Sequence, residues 1–335
     1  MLHPFLNKFK TALENDKAKY VKSFIIAWDY QIKRKKRKLK YSTDLPEDFY
    51  SFTGTKEIVN WMNWFKGKYP SFFKAELINP LVEQSKQNDA EILKKLDIAY
   101  DFNEYQNVGY NNAHDFFIPQ SYPIPEEFVI NTVLDFGAGY GRQANLWWPA
   151  IKGKGNFIAV DAIPLSYCLQ HYYYEAIKPD FKEYVEQPST FKIDEHGSDL
   201  YHIPTWRLDL IADNSVDLIL CVQVLPELDK KLIQHILTQF QRILKPGGMF
   251  YIRDLNFMYK ALGSINIDEA IKNAGFTLEY KAFIEHNVHL HGVPKIWRKN
   301  IQSISNQHKT NFKQRKRYLL EQIDAFTKGL FSKNN

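Results

Sequence analysis

The chain contains the stretch Val133-Leu134-Asp135-Phe136-Gly137-Ala138-Gly139-Tyr140-Gly141-Arg142, an apolar run followed by three glycines at alternating positions. The apolar run predicts a buried strand, and residues 141–151 predict the helix that follows it. Glycine allows the backbone to turn tightly and allows a ligand to approach it closely. Because open α/β sheets bind ligands at the carboxyl ends of their strands, this turn is a candidate ligand site.

The spacing of the glycines separates two classes of ligand. The turn has the spacing Gly-x-Gly-x-Gly, whereas the dinucleotide fingerprint is Gly-x-Gly-x-x-Gly, so the last glycine comes one residue early. Asp135 precedes the turn, where a carboxylate can receive the ammonium group of an amino-acid ligand and would repel a pyrophosphate. The stretch therefore favours an amino-acid-like ligand, and a purely structural glycine turn is the alternative that these residues alone leave open.

The residues after the glycine turn alternate between strand and helix patterns. Apolar runs predict further strands at residues 157–160, 205–208, 216–222, 249–253, from 276 onward and near 293–297. Helices are expected over residues 165–177, 229–244 and 268–274, and an insertion over 179–202 lengthens the link to the third strand. Strands separated by helices predict the α/β class, with a doubly wound, mostly parallel, seven-stranded sheet.

The composition narrows the classes of protein that the chain can be. Its 335 residues, of which 44% are apolar, are sufficient to bury a core. Cys168 and Cys221 lie in separate apolar stretches without metal-ligand spacing, which argues against a disulfide framework and favours a reducing compartment. Neither a signal peptide nor a run of about 20 apolar residues is present, so we expect a cytoplasmic protein without a membrane span.

Acidic residues and turns follow the glycine stretch in a specific order. Asp161 ends the second predicted strand, and Asp209 ends the third. The stretch Leu244-Lys245-Pro246-Gly247-Gly248-Met249-Phe250 gives a helix stop, a tight turn and the fifth strand. This ordered set, over residues 133–280, resembles the class I S-adenosylmethionine-dependent methyltransferases. The resemblance implies a Rossmann-like fold and S-adenosyl-L-methionine as the cofactor.

The resemblance also implies roles for individual residues. Asp135, Gly137 and Gly139 are expected to hold the methionine part of the cofactor. Asp161 is expected to bind the ribose, Asp209 and Leu210 to flank the adenine, and Gln223 to line the sulfonium side. The complete predicted cofactor set is Asp135, Gly137, Ala138, Gly139, Asp161, Ala162, Asp209, Leu210 and Gln223. Taken singly, the acids have ordinary structural alternatives as strand-end or turn residues, and the insertion weakens the assignment of Asp209.

Three side chains are candidates to act on the methyl acceptor. Methyl transfer needs an aligned nucleophile, and a hydroxyl acceptor also needs a base for its proton. Glu227, Asp254 and His289 are the candidate bases, and their structural alternatives are a helix-start acid, a strand-end acid and a surface-loop histidine. No (Asp/Asn)-Pro-Pro-(Tyr/Phe) element follows the fourth strand, which counts against methylation of base amines.

The overall layout predicts three regions. Residues 1–125 predict a helical accessory or lid region, in which the Tyr-, Asn- and Pro-rich residues 101–125 form an ordered loop. Residues 126–299 predict the cofactor-binding methyltransferase domain, and residues 300–335 a basic tail with helical spacing. This layout looks like that of sugar O-methyltransferases of bacterial glycan pathways, which implies a sugar or another small hydroxyl compound as the acceptor.

Two basic segments, at residues 33–40 and 309–317, support a different hypothesis. They could contact RNA phosphates, so an RNA methyltransferase is the alternative, although solvated helix ends explain the charges more simply. A fold relative without activity, binding a partner through its extra regions, is the third hypothesis. A divalent metal is compatible with the chemistry, but no ligand spacing indicates one, and the sequence does not determine an oligomeric state.

Overall fold

The computed structural model describes residues 3–16, 52–64, 74–122, 128–228, 230–254, 266–282 and 292–299. Its helices are α1 (Pro4–Asp16), α2 (Glu57–Trp64), α3 (Ala75–Lys95), α4 (Gln106–Ser121), α5 (Ala144–Ile151), α6 (Pro164–Ile177), α7 (Lys230–Ile243) and α8 (Ile267–Asn273). Its strands are β1 (Val133–Phe136), β2 (Phe157–Asp161), β3 (Lys182–Glu183), β4 (Leu200–Pro204), β5 (Val216–Val222), β6 (Leu244–Asp254), β7 (Phe276–Lys281) and β8 (Val293–Lys299). None of the described helices combines the length and the apolar character needed to span a bilayer.

One sheet contains all eight of these strands, in the order β3-β4-β2-β1-β5-β6-β8-β7. The strands β1 to β6 pair in parallel, whereas β8 runs antiparallel to both β6 and β7. The chain moves outward from β1 to β2 and β4, and later returns to place β5 on the other side of β1. Ligands of open α/β sheets bind at such a reversal of strand order, outside the carboxyl ends of the strands. The predicted α/β class and the mostly parallel sheet are therefore confirmed, with the glycine turn at the reversal.

The central strands are buried on both faces. Every residue of β1 and β2 is buried, and in β5 only the last residue is partly exposed. Parallel strands show this pattern because elements on both faces of the sheet cover them. The apolar runs in the sequence predicted these strands for the same reason.

Two predictions about the sheet are wrong. The predicted third strand at residues 205–208 is a 3-10 helix, Thr205–Leu210, and the strand itself, β4, lies earlier at Leu200–Pro204. The sheet also has an eighth strand, the two-residue β3, which pairs with β4. Both elements lie largely inside the supposed insertion, where polar residues such as His202 hid the strand pattern. His202 is nevertheless fully buried, because Glu183 of β3 pairs with it.

The predicted loop at residues 101–125 is also wrong, because most of it is helix α4. Its sequence contains Gly109, several asparagines and Pro119, all of which disfavour helix. Tertiary contacts outweigh these propensities, because one face of the helix presents buried polar side chains to charged partners on the sheet. The buried polar residues on this face are Asn111, Asn112, His114 and Asp115.

The described N-terminal helices pack directly on the α/β sheet region. Helix α3 contacts α4, α5 and α6, while α1 contacts α6 and the 3-10 turn at Tyr184–Glu186. Within the region of residues 1–125 that the sequence predicts to be helical, the structure has α2 and α3. The basic segments 33–40 and 309–317 and the predicted tail lie outside the described residues, so the RNA hypothesis and the three-region division stay predictions.

Candidate active site

The glycine turn after β1 has a backbone that only glycine adopts easily. Gly137, Gly139 and Gly141 have positive φ angles of 75°, 62° and 99°, in the region that L-residues with a Cβ atom rarely enter. A Cβ atom on Gly137 would lie 2.2 Å from Cγ2 of Val224, the residue that follows Gln223 after β5. The turn therefore packs tightly against the segment after the neighbouring strand, and it leaves backbone exposed to a ligand.

Asp135 is a buried acid with one oxygen that a cationic ligand could satisfy. It is buried in β1, and its Oδ2 atom has no hydrogen-bond partner among the described residues. Burial raises the pKa of Asp135 to about 8, against the opposing effect of Arg142. Buried polar atoms are almost always hydrogen-bonded, so an ammonium group from a ligand would satisfy this oxygen. An amino-acid ligand at the turn, as predicted, fits these residues.

Asp161 ends β2, as predicted, and accepts four hydrogen bonds. Oδ1 receives the backbone N–H groups of Ala162 and Ile163 at 2.7 and 2.8 Å. Oδ2 receives the backbone N–H of Gly139 at 3.1 Å and the side-chain amide of Gln170 at 2.9 Å. Burial raises the pKa of Asp161 to about 6, although these hydrogen bonds oppose the shift. The carboxylate thus ties the glycine turn to the start of α6, and Ala162 takes part through its backbone.

Asp209 does not lie at a strand end, which corrects the prediction made for it. It belongs to the 3-10 helix after β4, its side chain is 44% exposed, and it forms an ion pair with Arg207 at 3.0 Å. Leu210 closes the same short helix. The residue that follows β4 is Thr205, whose buried Oγ1 has no partner among the described residues. Because β4 pairs with β2 so that Pro204 lies beside Asp161, Thr205 occupies the edge that had been assigned to Asp209.

The ends of β5 and β6 meet beside the glycine turn. Gln223 has a positive φ of 61°, and its backbone N–H donates to the carbonyl of Arg253 at 3.1 Å. The N–H of Val224 donates to Oδ1 of the buried Asp254 at 3.1 Å. A Cβ atom on Gly292 would lie 2.1 Å from the carbonyl oxygen of Asp254, so glycine is required for this close approach. The structure therefore brings Gln223 and Asp254 to the same edge as the turn, as the sequence predicted.

Of the other two candidate bases, the structure describes the position of Glu227 in the chain but not that of His289. Glu227 lies in the 3-10 turn Leu225–Glu227, which begins three residues after β5. His289 falls outside the described residues altogether. Their proposed roles as bases stay predictions. Within the described ranges, no group of three or more His, Cys, Asp or Glu side chains is arranged to hold a metal ion.

A buried ion cluster joins α4 to this edge, and sequence reasoning missed it. Asp115 of α4 accepts from Arg142 at 2.6 Å, from Arg253 at 2.8 Å through both Nε and Nη2, and from the hydroxyl of Tyr251 at 2.7 Å. Arg253 is fully buried, and Arg142 nearly so. Although burial alone raises the pKa of Asp115, the two guanidinium groups lower it well below its ordinary value. Polar residues at helical spacing within residues 111–115 were the available signal.

Helix α2 approaches the turn from the N-terminal side. A Cβ atom on Gly139 would lie 3.8 Å from the ring of Trp61, an ordinary van der Waals separation. The indole of Trp61 thus lies beside Gly139, where the sequence predicts the methionine portion of the ligand. The residues that bound the site therefore come from both the N-terminal helices and the sheet.

Comparison with known proteins supports the ligand that this geometry indicates. The family model described as a methyltransferase domain matches residues 134–252, a range that begins in β1 and ends in β6. It therefore includes the glycine turn, Asp161 and the segment after β5. A search of the curated proteins found no matching sequence.

Several solved structures are similar to this chain. S-adenosylmethionine-dependent methyltransferases from Methanosarcina mazei and Aquifex aeolicus are each 18% identical, with a TM-score of 0.36, and they cover 54% and 53% of this chain and 99% and 90% of their own. An arsenic(III) S-adenosylmethionine methyltransferase from Chlamydomonas reinhardtii is 18% identical, with a TM-score of 0.34, covering 54% of this chain and 67% of its own. At these identities and TM-scores, none of the three carries an argument about the acceptor.

The family match identifies the kind of domain, and the geometry of the sheet edge fits the cofactor that such a domain uses. An amino-acid ammonium fits the unpartnered oxygen of Asp135, and the glycine turn offers the close backbone approach that the methionine part requires. Residues 134–252 accordingly form a class I methyltransferase domain, and the chain is an S-adenosylmethionine-dependent methyltransferase.

Proposed function

We propose that this methyltransferase acts on a hydroxyl group of a small molecule, and that a sugar or glycan precursor is the favoured acceptor. The observation that carries the proposal is the position of Asp254. Its carboxylate lies at the carboxyl end of β6, oriented by the backbone N–H of Val224, next to the turn of Gln223. A carboxylate fixed at this edge can take the proton that a hydroxyl loses during methylation.

The cofactor would lie along the carboxyl edge of β1, β2 and β4. In this arrangement Asp135 accepts the ammonium group, and the backbone around Ala138 and Gly139 holds the methionine part. Asp161 receives the ribose hydroxyls by exchanging one of its four present donors, and the longest of these bonds is the 3.1 Å contact from Gly139. Thr205 and Leu210 border the adenine, and Gln223 lies on the sulfonium side.

Bound S-adenosylmethionine supplies an electrophilic methyl group on its sulfonium. The protein residues have to align the acceptor oxygen, exclude water and accept the proton. Trp61 lies within van der Waals reach of Gly139, where its indole would limit the access of water from that side. The left-handed backbone of Gln223 directs the chain so that Val224 can hold Asp254. Strained backbone of this kind is often concentrated at functional sites.

The choice of a sugar rests on the resemblance in layout to sugar O-methyltransferases. An acceptor with several neighbouring hydroxyls suits an edge whose described polar groups include the carboxylate of Asp254 and the backbone around Gln223. Methylation of base amines is not favoured, because the segment Cys221–Leu228 lacks the motif of those enzymes.

The test measures cofactor binding and methyl transfer to the acceptor in two separate experiments. Calorimetry with S-adenosylhomocysteine should show micromolar binding to the wild-type protein and to Asp254→Asn alike. Transfer of a labelled methyl group should then be measured for panels of sugars, nucleotide sugars, phenols and amines. We expect transfer to a sugar hydroxyl, reduced about 100-fold or more in Asp254→Asn with the cofactor affinity unchanged, as for removal of a general base. Equal turnover by Asp254→Asn would overturn its role, and transfer only to amines would overturn the hydroxyl acceptor.

A further inference from the structure

A line of buried polar side chains runs behind Asp161, away from the candidate acceptor. Glu183 of β3 contacts Nδ1 of His202 through Oε2 at 2.6 Å. Nε2 of His202 contacts Oε1 of Gln170 at 3.0 Å. The amide nitrogen of Gln170 then donates to the carbonyl of Gly139 at 2.7 Å and to Asp161 at 2.9 Å. The three residues, which we name the Glu183–His202–Gln170 relay, are at most 3% exposed.

The hydrogen bonds of Gln170 fix the orientation of its amide. The carbonyl oxygen of Gly139 can only accept a hydrogen bond, so the group that faces it must be the NH₂ of Gln170. That NH₂ has two hydrogens, and the second is directed at Oδ2 of Asp161. The oxygen of the same amide is therefore the atom that faces His202. Asp161 and the glycine turn thus receive their donors from one side chain.

The amide orientation in turn determines where His202 carries a proton. Because Oε1 of Gln170 only accepts, Nε2 of His202 must bear the hydrogen in their 3.0 Å contact. The 2.6 Å contact of Nδ1 with Glu183 requires a second proton, either on Nδ1 or on the carboxyl group. The Glu183–His202 pair therefore shares one proton in addition to that on Nε2, and it is neutral overall. A neutral pair is the form that complete burial favours.

Neighbouring groups support this state of the pair. Glu183 also accepts from the hydroxyl of Tyr167 at 2.7 Å, from the N–H of Val185 at 3.1 Å and from His171 at 3.2 Å. Burial opposes a charge on either member, since it raises the pKa of Glu183 and lowers that of His202, while each partner opposes the shift in the other. The ring of Tyr167 stacks on His202 at 3.8 Å between centroids. These contacts leave His202 little freedom to rotate.

We propose that the Glu183–His202–Gln170 relay positions Asp161 and the glycine turn for the cofactor, with Gln170 and His202 as positioning residues. The inference rests on the proposed cofactor site. It also explains the segment at residues 179–202, because this segment contains both Glu183 and His202. An apolar core at this place would be simpler to bury, since unsatisfied polar groups are costly there. The polar relay instead delivers two directed hydrogens to the site.

A pair of substitutions at His202 separates positioning from packing. In His202→Gln the side-chain amide can still donate to Gln170, whereas in His202→Met a chain of similar size cannot. We expect S-adenosylhomocysteine to bind His202→Gln within about threefold of wild type, and His202→Met about tenfold more weakly or worse. A factor of ten corresponds to about 1.4 kcal/mol, the scale of one hydrogen bond. The exposed His196→Met is the matched control and should bind as wild type does.

The outcomes distinguish this inference from the cofactor site on which it rests. Absence of binding by the wild-type protein would overturn the site itself. Wild-type binding together with equal affinities for His202→Gln and His202→Met would overturn only the relay. Thermal unfolding of each variant with and without S-adenosylhomocysteine shows that the folded protein is compared.

A spectroscopic measurement needs no variant that might fail to fold. In protein labelled with ¹⁵N-histidine, the imidazole shifts report which nitrogen of His202 carries a proton, and the spectrum of His202→Gln assigns the signal. We expect a protonated Nε2 at neutral pH in the wild-type protein. An unprotonated Nε2 would mean that Gln170 presents its NH₂ to His202 and not to Gly139, and the relay would be overturned.

Discussion

Asp115 and Asp135 are both completely buried aspartates, yet their surroundings are opposite. Asp115 receives hydrogen bonds from two arginines, a glutamine and a tyrosine, and the arginines hold its pKa far below the ordinary value. Asp135 has an oxygen without a partner among the described residues, and burial raises its pKa to about 8. The comparison shows that burial alone does not indicate the role of an acid. The described residues satisfy Asp115 within the fold, whereas they leave one oxygen of Asp135 for the cofactor ammonium that we propose there.

The largest effect is expected at Asp115. Asp115→Asn keeps the size of the side chain but leaves Arg142 and Arg253 buried without their carboxylate. Breaking a buried ion pair from one side costs about 3–5 kcal/mol, so we expect a loss of this order in the free energy of unfolding by denaturant. Asp213→Asn, which removes a largely exposed partner of Arg242, is the control and should change stability by less than about 1 kcal/mol. Equal losses in the two variants would contradict the structural role of Asp115.

The second effect is a loss of cofactor affinity, which we expect when Asp135 is substituted. Asp135→Asn removes the charge that would meet the cofactor ammonium, so S-adenosylhomocysteine should bind about 100-fold more weakly, or about 2.7 kcal/mol. The unfolding free energy should stay the same or rise, because a buried carboxyl oxygen without a partner is costly to fold. Calorimetry and denaturant unfolding of the same preparation measure both quantities. Loss of stability with unchanged affinity would contradict the ligand-binding role of Asp135 and would indicate a structural role like that of Asp115.

The smallest effect concerns the protonation of Asp135, which changes both the stability of the protein and the protons released on binding. Because the folded-state pKa of Asp135 is raised to about 8, the group destabilises the ligand-free protein increasingly between about pH 4, its unfolded value, and pH 8. The stability present at low pH is therefore lost as the pH rises through this window. Binding an ammonium should ionise Asp135 and release close to one proton at pH 7. Calorimetry in buffers of different ionisation enthalpy measures this release, and an undiminished release in Asp135→Asn would assign it elsewhere, with Asp161 as the next candidate.

The parts of the site that follow a single strand were predicted well. The glycine turn, Asp161 and Asp254 each adjoin an apolar run long enough to be recognised as a buried strand, so their place at the carboxyl edge followed from the α/β pattern. Asp209 was misplaced because β4 contains Tyr201 and His202, and its burial depends on Glu183 from another strand. Helix α4 was missed for a similar reason, since its polar face is stabilised by Arg142 and Arg253 and not by its own propensity.

Local pattern alone determined the strand–glycine–helix unit and the mostly parallel sheet, and the resemblance carried by that pattern implied the cofactor. The physical reason is that backbone turns at positive φ and continuous apolar runs leave direct marks in the residues that form them. Only the tertiary structure decided which buried polar groups are partnered, because each partner comes from a distant part of the chain: Asp115 from α4 for Arg253, and Glu183 from β3 for His202. Those pairings distinguish Asp115, which other parts of the chain satisfy, from Asp135, which we propose as the acid that meets the cofactor.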